Sequence, residues 1–175
     1  MNLWDLYGLE KLALEAGYND GDRPDHSFGL LVYSLIYSER AKRVVCIGYG
    51  SGYIPVLASA GQAATGRRGS VLSIDPLPCD RGGYVNDHGF TSSHIFLQGD
   101  PVKSAGHVLE RLGGLIDVLV VIKPEDFGPL WQAYQPLLAD TSLCILQGIG
   151  EDATLPGYNS IGVWANALIA RRIKG

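Results

Sequence analysis

The stretch that most constrains the fold is residues 43–76. It reads R-V-V-C-I-G-Y-G-S-G-Y-I-P-V-L-A-S-A, then a glycine-containing spacer, then S-V-L-S-I-D-P. Residues 44–47 are too few for a helix and rich in Val and Ile, so they read as a parallel strand buried on both faces. Glycines at 48, 50 and 52 let the backbone pass close to a ligand with no Cβ in the way. A helix follows from Gly52 to about Thr65, with Pro55 tolerated in its first turn, where an amide has no intrahelical partner. Residues 71–74 form a second strand that ends on an acid, Asp75. Strand, glycine turn, helix, strand and terminal acid together describe a nucleotide-type binding site.

The remaining segments complete a sheet around that unit. Leu3, Leu6, Tyr7, Leu9, Leu12, Ala13 and Ala16 recur at helical spacing, and Gly17 stops the run. This first helix and the polar loop after it make an N-terminal piece, 1–22. It is either a cover over the ligand cleft or a helix that only packs. Residues 23–175 read as a single domain. Asp25 or Ser27 caps a helix that runs to about Glu39, with Phe28, Leu31, Val32, Leu35 and Ile36 on its apolar face. Further strands are expected at 94–97, 116–122 and 142–147, with helices at 102–112 and 129–138. Residues 77–86 and 148–158 are irregular connections rich in Gly and Pro. Residues 161–164 and 168–173 flank Ala165-Asn166 as a terminal hairpin. Alternating strands and helices predict an α/β doubly wound sheet, mostly parallel, with helices on both faces and an antiparallel C-terminal hairpin.

At 175 residues the chain is long enough to bury a real core. Its net charge of −4 and the lack of any Lys/Arg run argue against a nucleic-acid partner. No apolar stretch approaches the ~20 residues that span a membrane, and the N-terminus has no apolar signal-peptide core. Cys46, Cys79 and Cys144 fit no zinc spacing. They read as reduced thiols of a cytoplasmic protein.

In open parallel sheets ligands bind beyond the C-terminal ends of the strands. The residues there are 48–52, Asp75, Gly99-Asp100, 123–126 and Gln147-Gly148. The helix opening at Gly52 favours an anionic group. Asp75 can accept from two ribose hydroxyls. Asp100 either accepts from an exocyclic amine or caps its own helix. A buried or half-buried lysine at 123 would serve as a general base or hold an anionic acceptor; otherwise it reaches solvent or pairs with Glu125 or Asp126. His26 is an acid–base candidate or a structural histidine. Tyr18, Tyr49 and Tyr53 line the cleft or pack as core aromatics. His88, His94 and His107 show neither metal nor triad spacing.

The order of these motifs resembles the class I S-adenosylmethionine-dependent methyltransferases, nearest to small O-methyltransferases of the catechol O-methyltransferase type. D-R-P-D-H-S-F-G-L-L-V-Y-S-L-I-Y-S-E-R-A-K-R-V-V-C-I-G-Y-G-S-G-Y is similar to that family's opening segment, first helix and glycine-rich motif. V-L-S-I-D-P resembles its second-strand acid, F-L-Q-G-D its adenine-side turn, D-V-L-V-V-I its fourth strand, and P-L-L-A-D-T-S-L-C-I-L the approach to its fifth. The resemblance runs from about Arg23 to the C-terminus. It implies that Gly48, Tyr49, Gly50, Ser51 and Gly52 hold the methionine part of S-adenosyl-L-methionine. It further implies that Asp75 binds the ribose and that Gly99 and Asp100 lie beside the adenine.

Three positions depart from the family. Cys46 stands where an acid is common. Lys123 and Gln147-Gly148 stand where the metal-dependent members place an acid and an Asp-Asn pair. A hard cation wants several oxygens, and an ammonium would repel it, so no metal is expected. The resemblance thus implies a metal-independent methyltransferase acting on a small molecule, with an oxygen as acceptor and Lys123 and His26 as catalytic candidates. The alternative is a methyltransferase-like binding or scaffold protein that needs a partner. The short segment after Gly148 leaves the acceptor side thinly covered, which a second copy or a partner subunit would complete.

Overall fold

The computed structural model describes residues 9–15, 17–20, 23–48, 50–77, 89–90, 92–149, 153–164 and 167–173. Seven strands form one sheet: β1 (Arg43–Ile47), β2 (Ser70–Asp75), β3 (His94–Gln98), β4 (Ile116–Ile122), β5 (Leu138–Gln147), β6 (Tyr158–Trp164) and β7 (Ala167–Arg172). Their spatial order is β3-β2-β1-β4-β5-β7-β6. The first five run parallel, and β7 is antiparallel to both β5 and β6. The expected doubly wound sheet and closing hairpin are therefore present. A separate two-residue pairing joins Asn19–Asp20 to Arg23–Pro24.

Alternation along the strands sends side chains to two cores. Val44, Cys46, Val118, Val120, Leu143 and Ile145 face one side with α1 (Leu9–Glu15), α2 (Ser27–Ser38) and α3 (Tyr53–Ala64). Val45, Ile47, Leu119, Val121, Cys144 and Leu146 face the other with α4 (Pro101–Leu112) and α5 (Phe127–Tyr134). Helices α2 and α3 approach closely because small residues lie between them. A Cβ on Gly29 would fall 2.2 Å from Leu57 Cδ1, and one on Gly61 would fall 2.7 Å from the Tyr33 carbonyl.

Several boundaries differ from those read in the sequence. Residues 3–8 and 16 of the expected first helix lie outside the described residues, and the helix is described over Leu9–Glu15. His26, not Asp25 or Ser27, is the N-cap of α2, and it makes no side-chain capping bond. Asp25 acts one residue earlier: its Oδ1 accepts from the backbone amide and hydroxyl of Ser27. Asp126 caps α5 by accepting from Gly128 N, which starts that helix at Phe127, ahead of the expected 129. Pro136 sits in a 3-10 turn, Gln135–Leu137, that ends the helical run.

Strand β5 starts at Leu138 rather than 142 because Leu138 pairs with Ile116 across an irregularity in the ladder. Strand β6 starts at Tyr158, whose hydroxyl meets Ser142 Oγ at 2.9 Å. The polar Asn159 and Ser160 carry no strand signal of their own; pairing with Arg171 and Ala170 recruits them. Long-range ion pairs tie the layers together. Arg171 Nη1 donates to Glu39 Oε2 at 3.0 Å, and Asp117 accepts from the Arg43 side chain and from the backbone amides of Lys42 and Arg43.

Candidate functional site

The order of the sheet reverses between β1 and β4, so the loops after these strands part and leave a crevice. A cavity of about 360 Å³ lies there. Gly48, Gly50, Ser51, Tyr53, Ile54 and Asp75 line one part of it, and Glu15, Tyr18, Ile122 and Lys123 the rest. A larger, open hollow of about 940 Å³ sits at the opposite edge, where Lys42, Arg43, Ser70 and Ser93 mark the beginnings of strands. The smaller cavity holds the residues singled out in the sequence.

Gly48, Gly50 and Gly52 have φ of +91°, +54° and +89°, all in the region that disfavours a side chain. At Gly48 a Cβ would also come within 3.1 Å of the Ile122 carbonyl oxygen, so β1 and β4 are in close contact at the floor of the crevice. Gly52 is the left-handed N-cap of α3 and brings no capping side chain. Ser51 is buried, and its Oγ accepts from Tyr53 N at 3.4 Å. Tyr49 lies outside the described residues.

Asp75 stands at the tip of β2 and braces this turn. Its Oδ2 accepts from Gly50 N at 3.4 Å and its Oδ1 from Leu77 N at 2.9 Å. Gly99 is joined to the same tip through Gly99 N to the Asp75 carbonyl, 2.9 Å. Asp100 is employed as the N-cap of α4, with Oδ1 accepting from Val102 N and Lys103 N. Of the two readings left open for Asp100, capping is the one the geometry supports.

Cys46 is fully buried in the α2/α3 core, and burial pushes its thiol up to about 12. It packs beneath the glycine turn as a small apolar group. Cys144 is likewise buried and free, and Cys79 lies outside the described residues. His94 is buried on β3, with Nε2 3.0 Å from Ser73 Oγ; desolvation lowers its pKa to about 4. His94 is thus a neutral core histidine.

Lys123 follows β4 and is exposed, which is the solvent-reaching arrangement of the two left open for it. Its φ of +43° is left-handed, rare for a residue with a Cβ. Its backbone amide donates to the Gln147 carbonyl at 2.9 Å, and a Cβ on Gly148 would lie 3.1 Å from Lys123 Cγ. Neither Glu125 nor Asp126 pairs with its side chain among the described residues. His26 does not line the cavity itself, but its Nδ1 lies 3.3 Å from the Tyr53 hydroxyl, which places it one residue behind the wall.

Tyr18 packs on Phe28 and Tyr53, with ring centroids 5.8 and 5.3 Å away. Its hydroxyl donates to Gln147 Oε1 at 2.8 Å. Burial raises the pKa of both Tyr18 and Tyr53, which keeps them as neutral phenols. Glu15 and the side-chain role of Gln147 were not foreseen from sequence. Glu15 looks like a solvent-facing helix residue, and the Tyr18–Gln147 contact joins positions with no shared motif.

Among the described residues, no group of three His, Cys, Asp or Glu side chains could hold a metal ion. Among them, too, no helix is long and apolar enough to cross a membrane.

No protein-family model and no curated protein sequence matches the chain. Solved structures do resemble it. A methyltransferase from Geobacter sulfurreducens is 20% identical, covers 95% of this chain and 88% of its own, and has a TM-score of 0.72. An O-methyltransferase from Bacillus cereus, in complex with SAH, is 12% identical over 99% of this chain and 92% of its own, with a TM-score of 0.74. The O-methyltransferase TomG from Streptomyces achromogenes, involved in tomaymycin synthesis and in complex with SAM, is 14% identical over 100% of this chain and 92% of its own, at 0.71. The chain has the Rossmann-like fold of these methyltransferases.

Proposed function

We propose that this protein is an S-adenosylmethionine-dependent methyltransferase that acts on a small molecule through an oxygen acceptor and needs no metal. The observation that carries this reading is the glycine turn 48–52, braced by Asp75 at the switch point of a methyltransferase fold. The residues fit the cofactor. Three left-handed glycines leave a cradle that side chains would fill, and Asp75 lines the cavity with a carboxylate, the group that accepts from a ribose diol. Gly48, Gly50, Ser51 and Gly52, with Tyr49, would hold its methionine part, and Gly99 would flank its adenosine. Asp100 would act there only through the helix it caps.

The bound cofactor supplies an electrophilic methyl group, so the protein's work is positioning and exclusion of water. Tyr18 and Glu15 support the reading of residues 1–22 as a cover, since both line the cavity. His26 would act through Tyr53, and Lys123 would meet the acceptor at the rim. Metal independence is supported by an ammonium at the end of β4, which would repel a hard cation, and by a neutral carboxamide, not a carboxylate, at the end of β5. A second copy or partner subunit would complete the acceptor side. The alternative, a binding protein of the same fold, draws its support from Cys46 and Lys123 standing where acids are usual in the family the chain resembles.

The test is transfer of labelled methyl from S-adenosylmethionine to panels of phenols, carboxylic acids and amines, with and without excess EDTA. Transfer to oxygen that survives EDTA is expected. A requirement for Mg²⁺ contradicts metal independence. Cofactor binding with no transfer to any acceptor favours the binding-protein alternative.

A further inference from the structure

We propose that the hollow of about 940 Å³ at the beginnings of the strands is a second binding site, for a small molecule that carries a chain of phosphate groups. This hollow plays no part in the methyltransferase reading, and its ligand does not depend on that reading. Arg43, at the start of β1, lines the hollow, and Gly48, just past the end of the same strand, lines the crevice. The length of one short strand, about 15 Å, therefore separates the two sites.

Charge marks the hollow first. Lys42, Arg43, Arg67 and Arg68 all line it, and among the described residues no Asp or Glu does. In a chain of net charge −4 this is a local reversal of sign. Asp117, which does not line the hollow, neutralises Arg43 with Oδ1 3.3 Å from Nη2. Lys42, Arg67 and Arg68 make no ion pair among the described residues. Like charges gathered in one concavity raise its potential and draw in an anion that relieves their repulsion. Two of the three are arginines, whose planar forks match phosphate oxygens.

The backbone that carries these cations is pinned. Gln62 is 2% exposed, and its Nε2 donates to the Arg67 carbonyl at 3.0 Å. Thr65 Oγ1 accepts from Arg67 N at 3.1 Å and donates to the Gln62 carbonyl at 2.8 Å. The turn then passes so close to Lys42 that a Cβ on Gly69 would overlap the Lys42 carbonyl oxygen and Gln62 Nε2. Ser70 N donates to that same carbonyl at 2.7 Å, and Asp117 accepts from the amides of Lys42 and Arg43. A fixed frame lowers the ordering cost of seating a ligand among long side chains.

The rest of the lining narrows the ligand. Ser70 and Ser92 add hydroxyl donors, and Phe90 and Leu112 add apolar wall. The volume is that of a small-molecule site, and the unpaired cations outnumber what one phosphate group would engage. Nucleic acid fits less well. Its tract of phosphates calls for cations spread along a face, and these are gathered in one concavity on an acidic chain. The C-terminal ends of α3 and α4 also reach the hollow, through Ala63 and Leu112, and their partial negative charge attracts cations. A role confined to those helix ends predicts lost stability and unchanged binding when the cations are removed.

The test is calorimetric titration of the full chain, at near-physiological salt, with inorganic phosphate, pyrophosphate and tripolyphosphate. One tripolyphosphate per chain is expected, bound roughly tenfold or more tightly than phosphate. Lys42→Ala, and Arg67→Ala combined with Arg68→Ala, should each weaken tripolyphosphate roughly tenfold or more. Arg67→Lys combined with Arg68→Lys keeps the charge without the forks and should restore part of the loss. Lys103→Ala removes an exposed cation outside the hollow and should leave binding unchanged. An excess of S-adenosylhomocysteine should also leave it unchanged. Tripolyphosphate that binds no better than phosphate, or that loses as much affinity in Lys103→Ala as in the hollow variants, overturns the inference. So does a lowered Tm with binding intact, which assigns the cations to the helix ends, and so does competition by S-adenosylhomocysteine, which places the phosphates in the crevice. A uridine oligonucleotide that displaces tripolyphosphate and binds more tightly overturns the small-molecule assignment.

Discussion

Tyr18 and Gln147 lie 129 positions apart and meet through a 2.8 Å hydrogen bond from the tyrosine hydroxyl to the glutamine carbonyl oxygen. The contact ties the N-terminal piece to the tip of β5 and closes one wall of the crevice. Tyr18→Phe keeps the ring stacked on Phe28 and removes only this bond. The expected loss of stability is about 1 kcal/mol by urea denaturation. Hydrogen exchange should show lost protection at Tyr18 and the residues around it, with β1 and β4 unchanged.

Asp75 and Asp100 are two acids at neighbouring strand tips, and the structure gives them different work. Asp75→Ala should lower affinity for S-adenosylhomocysteine roughly 10- to 100-fold, as expected for loss of charged hydrogen bonds. Asp100→Ala should cost about 1 kcal/mol of stability through the lost cap of α4. Its effect on cofactor affinity should be small. Calorimetry and urea melts on the two variants separate these outcomes.

The close approach of α2 and α3 makes its own prediction. Gly29→Ala places a methyl group against Leu57 and the Tyr53 ring, and Gly61→Ala places one against the Tyr33 backbone. Each should destabilise by roughly 1–3 kcal/mol. Gly61→Ala should be the worse of the two, because a backbone carbonyl yields less than side chains do. Thermal melts report the difference.

His94 makes stability depend on pH in a defined direction. Its folded pKa is lowered from 6.5 to about 4 by burial. Between those values the unfolded chain binds a proton that the folded chain does not. Stability is therefore retained above pH 6.5, falls as pH drops toward 4, and levels off below; the loss is at most about 3 kcal/mol. His94→Gln should flatten that part of the urea-stability profile.

Much of this was legible in the sequence because local chemistry decided it. The run from Val44 to Asp75 announces strand, turn, helix and acid through residue type alone, and the alternation of strands and helices announces the doubly wound sheet. What was not legible depends on partners far along the chain. Asn159 and Ser160 become strand only because β7 is beside them. Gln147 resembles any polar residue at a strand end until Tyr18 reaches it. Whether Lys123 is buried or reaches solvent stays open in the sequence, because only the left-handed turn after β4 carries it to the rim. The helix boundary at Phe127 moved because Asp126 was available as a cap.

The central claim is that the turn at 48–52 and Asp75 bind S-adenosylmethionine. Calorimetric titration of the full chain with S-adenosylmethionine and S-adenosylhomocysteine tests it most directly. One site per chain is expected for each compound, weakened at least tenfold by Asp75→Ala. No heat of binding for either compound at millimolar concentration, or binding indifferent to Asp75→Ala, would contradict it.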